Sequence, residues 1–169
     1  QHLDPTNVCI LRATCTFCSF ARTPKEEGAY TRSLDEVYAE AEQARGAPTT
    51  EFHIVGGLHP KLRLSYYTDM LRGLKERHPT VHIKALTAVE IAHLARIEKT
   101  SEREVLLALQ AAGLTSLPGG GAEVFSTAVR HDRGAQADGR RVDPGAPHGA
   151  PAWHPDQLHH ALRPRGNRG

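Results

Sequence analysis

The sequence predicts an α/β fold, the N-terminal half of a TIM-type (β/α) barrel, truncated, followed by a tail of different character. Short β-prone runs alternate with amphipathic helical stretches over residues 1–130. The chemically interesting residues follow directly after each predicted strand. Strand, helix, strand, helix at this rhythm implies a parallel sheet with right-handed crossovers. Function gathered at the C-terminal ends of the strands is the habit of (β/α) barrels. Four predicted strands do not close such a barrel, so half of one is expected.

The elements follow in order. Residues 2–9 read as a short strand entering a cysteine-bearing loop. Ser33-Leu-Asp-Glu36 is a capping box, and Leu34, Val37, Tyr38, Ala41 and Ala44 then share one helical face. Gly46 and Pro48 end that helix. Residues 51–55 are a strand, opening into Gly56-Gly57-Leu58-His59-Pro60. A second helix spans about 65–77, with Tyr67, Met70, Leu71 and Leu74 on one face. Residues 81–86 form the third strand, and a short helix covers 90–96. Ser101-Glu-Arg-Glu104 is another capping box, with Val105, Leu106, Leu109 and Ala112 at helical spacing and Gly113 as C-cap. Residues 115–117 are a short fourth strand leading into Gly119-Gly120-Gly121.

Length and composition narrow the classes. A chain of 169 residues is nominally one domain with a real core. A net charge of +2 gives no reason to expect nucleic acid or an anionic membrane as partner. No apolar run is long enough for a membrane span, and no secretory start is visible. Clustered free thiols suit a reducing compartment, so a cytoplasmic location is expected. The chain opens at Gln1 without an initiator Met, which suggests a longer natural N-terminus.

Cys9, Cys15 and Cys18 are the three cysteines of the chain, all within ten residues. Core packing does not explain such clustering, although a lone Cys is an ordinary buried residue. Structural zinc needs a fourth ligand, for which His2 is the nearest candidate. A disulfide framework fails on the odd count. An iron–sulfur cluster on three thiolates remains, and three ligands leave one iron open to a substrate or cofactor. That arrangement suits reductive cleavage of S-adenosylmethionine.

Phe17, between the last two cysteines, completes the pattern. It resembles the radical S-adenosylmethionine (radical SAM) superfamily, whose usual spacing is Cys-x3-Cys-x2-Cys; here five residues separate Cys9 from Cys15. Gly56 and Gly57 allow close approach of backbone to the cofactor, or form an ordinary strand-to-loop turn. Glu90 is either a ligand contact or an acidic first-turn residue favoured by the helix dipole. Gly119–Gly121 leave backbone room beside a bulky ligand, and Glu123 reads as a first-turn acid. Neither glycine stretch matches a nucleotide-triphosphate fingerprint. His53 is expected in sheet packing, His82 in a structural role, and His59 in the loop as the better substrate contact.

A narrower resemblance runs through residues 1–130. His2-Leu-Asp-Pro-Thr-Asn-Val-Cys9, Glu27-Gly-Ala-Tyr30, His53-Ile-Val-Gly-Gly-Leu-His-Pro60, His82-Ile-Lys-Ala-Leu-Thr-Ala-Val-Glu-Ile91 and Ser116-Leu-Pro-Gly-Gly-Gly-Ala-Glu-Val-Phe125 resemble aminofutalosine synthase. Cyclic dehypoxanthinyl futalosine synthase and deazaflavin (FO) synthase are the neighbouring alternatives. The resemblance implies a radical SAM barrel holding a [4Fe-4S] cluster and S-adenosyl-L-methionine. It implies addition of the 5′-deoxyadenosyl radical to the enolpyruvyl ether of 3-hydroxybenzoate, with loss of the carboxylate, in menaquinone biosynthesis. A reducing donor such as flavodoxin or ferredoxin is implied as partner. Carried over, Cys9, Cys15 and Cys18 hold the cluster, and Phe17, Gly56, Gly57 and Glu90 are candidate cofactor contacts. A non-catalytic iron–sulfur protein is the alternative of another class.

Residues 131–169 break the rhythm. Basic and acidic side chains balance over 1–130, whereas the tail sets six Arg against four Asp and has neither Lys nor Glu. Val142, Trp153, Leu158 and Leu162 are its large apolar residues. At face value this is a disordered segment, and its five histidines invite a metal-binding reading. GC-rich DNA read out of frame yields the same composition, and shifted codons for 139–148 and 154–162 permit segments like those of the resembled family. The expectation is a frameshift near Arg130, an open edge at the fourth strand, an uncovered apolar barrel interior, and a poorly soluble, inactive product.

Overall fold

In a computed structural model, residues 1–13, 15, 18–43 and 48–118 are described. Phe17, Ala44, Gly46, the Gly119–Gly121 stretch, Glu123 and the whole 131–169 tail lie outside the described residues.

Three strands, β1 (His2–Leu3), β2 (Glu51–Ile54) and β3 (His82–Ala85), form one sheet in the order β1-β2-β3. Both pairings are parallel, with His2 opposite His53 and Glu51 opposite His82. Helix α1 (Leu34–Glu42) joins β1 to β2, and α2 (Leu64–Arg77) joins β2 to β3. Two helices, α3 (Ala88–Glu98) and α4 (Glu102–Ala111), follow β3. The predicted fourth strand is a single parallel bridge between Lys84 and Ser116. The predicted first strand is likewise shorter: beyond Leu3 the chain makes only isolated bridges, Thr6 to Thr31 and Val8 to Arg22. It turns there to enter the cysteine loop.

Helix starts follow local chemistry. Ser33 and Ser101 each accept the N3 amide while the N3 glutamate returns to the cap amide. Helix α3 does the same with Thr87 and Glu90, so it begins at Ala88, two residues before the predicted start. Gly113 follows α4 at φ +112°, a conformation that glycine adopts without Cβ strain.

Alternation along the strands divides the molecule. Leu3, Phe52, Ile54, Ile83 and Ala85 face the helices and are buried among Val37, Met70, Leu71, Leu74, Leu94 and Leu109. His2, Glu51, His53, His82 and Lys84 occupy the opposite face. The expected apolar interior is therefore not what the described strands present. Their inner face is polar: Lys84 Nζ donates to Glu51 at 3.0 Å, and His82 Nε2 lies 2.7 Å from Ser116 Oγ.

Candidate functional site

The cysteine loop is held from two sides. The Cys9 amide donates to the Arg22 carbonyl at 2.9 Å, and the Cys15 amide to that of Leu11 at 2.8 Å. Asn7 pins the returning segment, donating from Nδ2 to the Gly28 carbonyl and accepting the Tyr30 amide. Glu26 braces the loop through Arg12 at 3.2 Å. The Asn7 and Glu27–Tyr30 motifs thus serve one purpose, closing the base of the loop.

Gly56 and Gly57 leave β2 and press against this loop. The Gly57 amide donates to the Thr6 carbonyl at 2.8 Å, and the Ile10 amide to that of Leu58 at 3.0 Å. A Cβ on Gly57 would overlap the Val8 carbonyl oxygen, lie 2.6 Å from its carbon and 3.0 Å from Cys9 Cβ. On Gly56 it would meet the Thr6 oxygen at 3.0 Å. Close backbone approach is the reason for both glycines: Gly57 seats against the Val8–Cys9 segment and Gly56 against Thr6.

Glu90 is 4% exposed. Its Oε2 accepts the Thr87 amide at 2.7 Å and its Oε1 the Gly56 amide at 3.1 Å. Burial pushes its carboxyl up to about 7, although the Thr87 and Gly56 donors pull it down. One turn on, buried His93 places Nε2 2.9 Å from the His59 carbonyl oxygen, with Arg96 at its Nδ1. Two residues of α3 therefore grip both ends of the 56–59 loop. The His59 ring serves that loop too, Nδ1 accepting the Lys61 and Leu62 amides at 3.0 Å each. It does not line the cavity described next, so the sequence preference for His59 as a substrate contact gains nothing.

Cys9, Cys15, Cys18, Gly56, Gly57 and Glu90 all line one cavity of about 330 Å³. Leu11 and Leu58 pack with Cys15 beneath it, and Val89 lies against them. Burial, together with the neighbouring Cys18 and Cys9 thiols, pushes the Cys15 thiol up. His53, predicted in sheet packing, lines the same cavity. The signal for it was present: Phe52 and Ile54 are the apolar residues of β2, so the residue between them points the other way.

Among the described residues, no three His, Cys, Asp or Glu side chains converge as ligands of a single metal ion. An iron–sulfur cubane makes a different demand, since each thiolate binds its own iron. Three soft thiol donors around one largely apolar cavity, beside backbone that tolerates no Cβ, fit such a group.

Residues 3–136 match the Radical SAM superfamily. The chain belongs to the radical SAM superfamily. This superfamily uses a [4Fe-4S] cluster and S-adenosylmethionine, and its members act on small molecules with an electron donor. The chain is 47% identical over 128 residues to an "Aminodeoxyfutalosine synthase" of Thermus thermophilus, covering 76% of this chain and 34% of the relative. It is 48% identical over 130 residues to a protein of that name from Streptomyces coelicolor, covering 77% and 33%. A "Cyclic dehypoxanthine futalosine synthase" of Halalkalibacterium halodurans is 34% identical over 130 residues, covering 77% and 35%. The chain spans about a third of the length of the curated relatives it matches. Among the described residues, no helix is long and apolar enough to cross a membrane.

Proposed function

We propose that this radical SAM chain is the cluster-bearing part of an aminofutalosine synthase. Such an enzyme adds the 5′-deoxyadenosyl group to the enolpyruvyl ether of 3-hydroxybenzoate, with loss of the carboxylate, giving 6-amino-6-deoxyfutalosine. One observation carries the reading: the three thiols and the Gly56–Gly57 pair share one cavity in a chain 47–48% identical to two proteins named for that activity. Identity to the cyclic futalosine enzyme is lower, at 34%.

In this reading Cys9, Cys15 and Cys18 hold the cluster. When bound, it supplies the single electron that splits S-adenosylmethionine. Leu11, Leu58 and Val89 keep water from the thiols, which protects a reactive organic radical from side reactions. Gly57 lets the β2 loop seat against Cys9, and Glu90 fixes Gly56, so the backbone facing the methionine moiety is preorganised. Phe17 is assigned to the same cofactor site as the aromatic beside Cys18. The electron donor is a flavodoxin or ferredoxin, and the site of action the cytoplasm.

Residues 1–130 are assigned to the barrel and 131–169 to a frameshifted tail. Sequencing the gene through codons 125–169 tests that assignment: one inserted or deleted base supports it, and an unshifted frame overturns it. The activity test uses the full-length protein, its reading frame restored beyond Arg130, with reconstituted cluster, dithionite, S-adenosylmethionine and the enolpyruvyl ether. Mass-spectrometric detection of aminodeoxyfutalosine supports the reading. Cofactor cleavage with the ether left unconsumed overturns it.

A further inference from the structure

His53 stands apart from every other residue on the cavity wall. It is the one nitrogen-bearing side chain among the described lining residues. The remainder are thiols, glycines and apolar groups, with Thr87 and Glu90 engaged in the α3 capping box. Its ring makes no hydrogen bond among the described residues. It is not loose, however: the His2 ring stacks on it at 4.7 Å between centroids, 17° from parallel. That stacking, with the pleat that sends Phe52 and Ile54 into the core, fixes the plane of the imidazole.

The same ring borders the polar inner face of the sheet. His53 lies opposite Lys84 in the β2–β3 register, and together with His2 and Glu51 it lines an open groove on that face. His53 is thus the point where the thiol-lined cavity meets the sheet interior. Burial lowers its pKa, and His2 and Lys84 lower it further against the opposing charges of Glu51 and Asp4. Whichever nitrogen carries the proton, one N–H remains to donate.

A carboxylate entering a largely apolar cavity must find a donor or forfeit its hydration. We propose, on the footing of the functional reading above, that His53 is a specificity-determining residue whose imidazole N–H binds a carboxylate of the substrate. The enolpyruvyl ether of 3-hydroxybenzoate carries two carboxylates. S-adenosylmethionine carries one as well, on the methionine moiety. The ether is favoured because His53 lies within strand β2, below the Gly56–Gly57 loop that faces the thiols.

The test uses the full-length protein with its cluster reconstituted and no reductant. Calorimetric titrations with the ether alone and with S-adenosylmethionine alone are run on wild type, His53→Ala and His53→Gln. The His53 ring proton shift is followed by NMR in wild type. A lost hydrogen bond to a charged group weakens binding roughly ten- to hundredfold. The expected result is that loss for the ether in His53→Ala, partial recovery in His53→Gln, and unchanged affinity for S-adenosylmethionine. The His53 resonance should move on adding the ether. Retention of the cluster's paramagnetic signal, after reduction in a parallel sample, shows that the variants keep their site. Ether affinity undiminished in His53→Ala overturns the assignment, as does a loss confined to S-adenosylmethionine. Wild type that binds S-adenosylmethionine but no ether overturns the functional reading, and this assignment with it.

Discussion

Glu90 Oε1 accepts the Gly56 backbone N–H at 3.1 Å, tying the first turn of α3 to the loop that leaves β2. The other oxygen closes the capping box on Thr87. One buried side chain thus satisfies two main-chain donors on two elements. Glu90→Ala leaves both donors unpaired, at about 1–3 kcal/mol each. Urea denaturation should show a loss of about 2–5 kcal/mol, and a loss under 1 kcal/mol would contradict the linkage.

The same carboxyl makes stability depend on pH. Its pKa in the fold, about 7, lies above its ordinary 4.5, so the folded protein favours the neutral acid. The stabilisation is fully present below about pH 4.5 and is lost as the pH rises through 7. Half-buried His59 and buried His93, whose pKa values burial lowers, act in the opposite direction at lower pH. The difference between wild type and the non-titrating Glu90→Gln isolates the effect. Relative to that variant, wild type should lose stability between about pH 5 and 7. A flat difference would refute it.

Gly57 offers a steric test. Its missing Cβ is occupied space, filled by the Val8 backbone and the Cys9 side chain. Gly57→Ala must move the Cys9 segment, because backbone cannot rotate away as a side chain would. Iron bound per chain after anaerobic reconstitution should fall by more than half. Gly56→Ala, with a 3.0 Å approach to the Thr6 oxygen, should lose less. Equal, full iron loading in both variants would show that the loop has slack.

His93→Ala removes the donor that holds the His59 carbonyl. A lost hydrogen bond of this kind, with a small cavity, costs about 1–3 kcal/mol. Hydrogen exchange at the Lys61 and Leu62 amides, which point at His59 Nδ1, should accelerate several-fold. Unchanged exchange there would mean that α3 does not hold the loop.

The thiols differ in access. Cys15 is 6% exposed, whereas Cys9 and Cys18 are half-buried. In cluster-free protein, iodoacetamide should therefore alkylate Cys15 last, by about tenfold or more, as read by peptide mass spectrometry. Cys15 reacting first would contradict the packing of Leu11 and Leu58 around it.

Much of this was legible from short-range pattern. The Ser33 and Ser101 capping boxes, the buried faces of α1, α2 and α4, and Gly113 after α4 are set by residues within four positions of each other. Such signals survive in sequence because the interacting atoms are covalent near-neighbours. The Thr87-Ala-Val-Glu90 box belongs to the same class, but Glu90 taken only as a first-turn acid or a ligand contact puts the start of α3 two residues late. The expected strands at 2–9 and 115–117 exceed the observed two-residue β1 and the single bridge at Ser116 for another reason. Apolar content marks what will be buried, but ladder length is decided by what the neighbouring backbone can reach.

By itself the sequence determined the parallel α/β architecture, the caps of α1 and α4 and the three-thiol loop with its family. Tertiary structure alone decided that Glu90 braces Gly56, that Gly57 yields its space to Val8 and Cys9, and that the His2 ring stacks on His53. Those contacts join residues some 30 to 50 positions apart, and their partners are chosen by sheet register and helix docking. No local periodicity encodes such a choice, because it exists only once hydrophobic burial has brought the strands and α3 to one place.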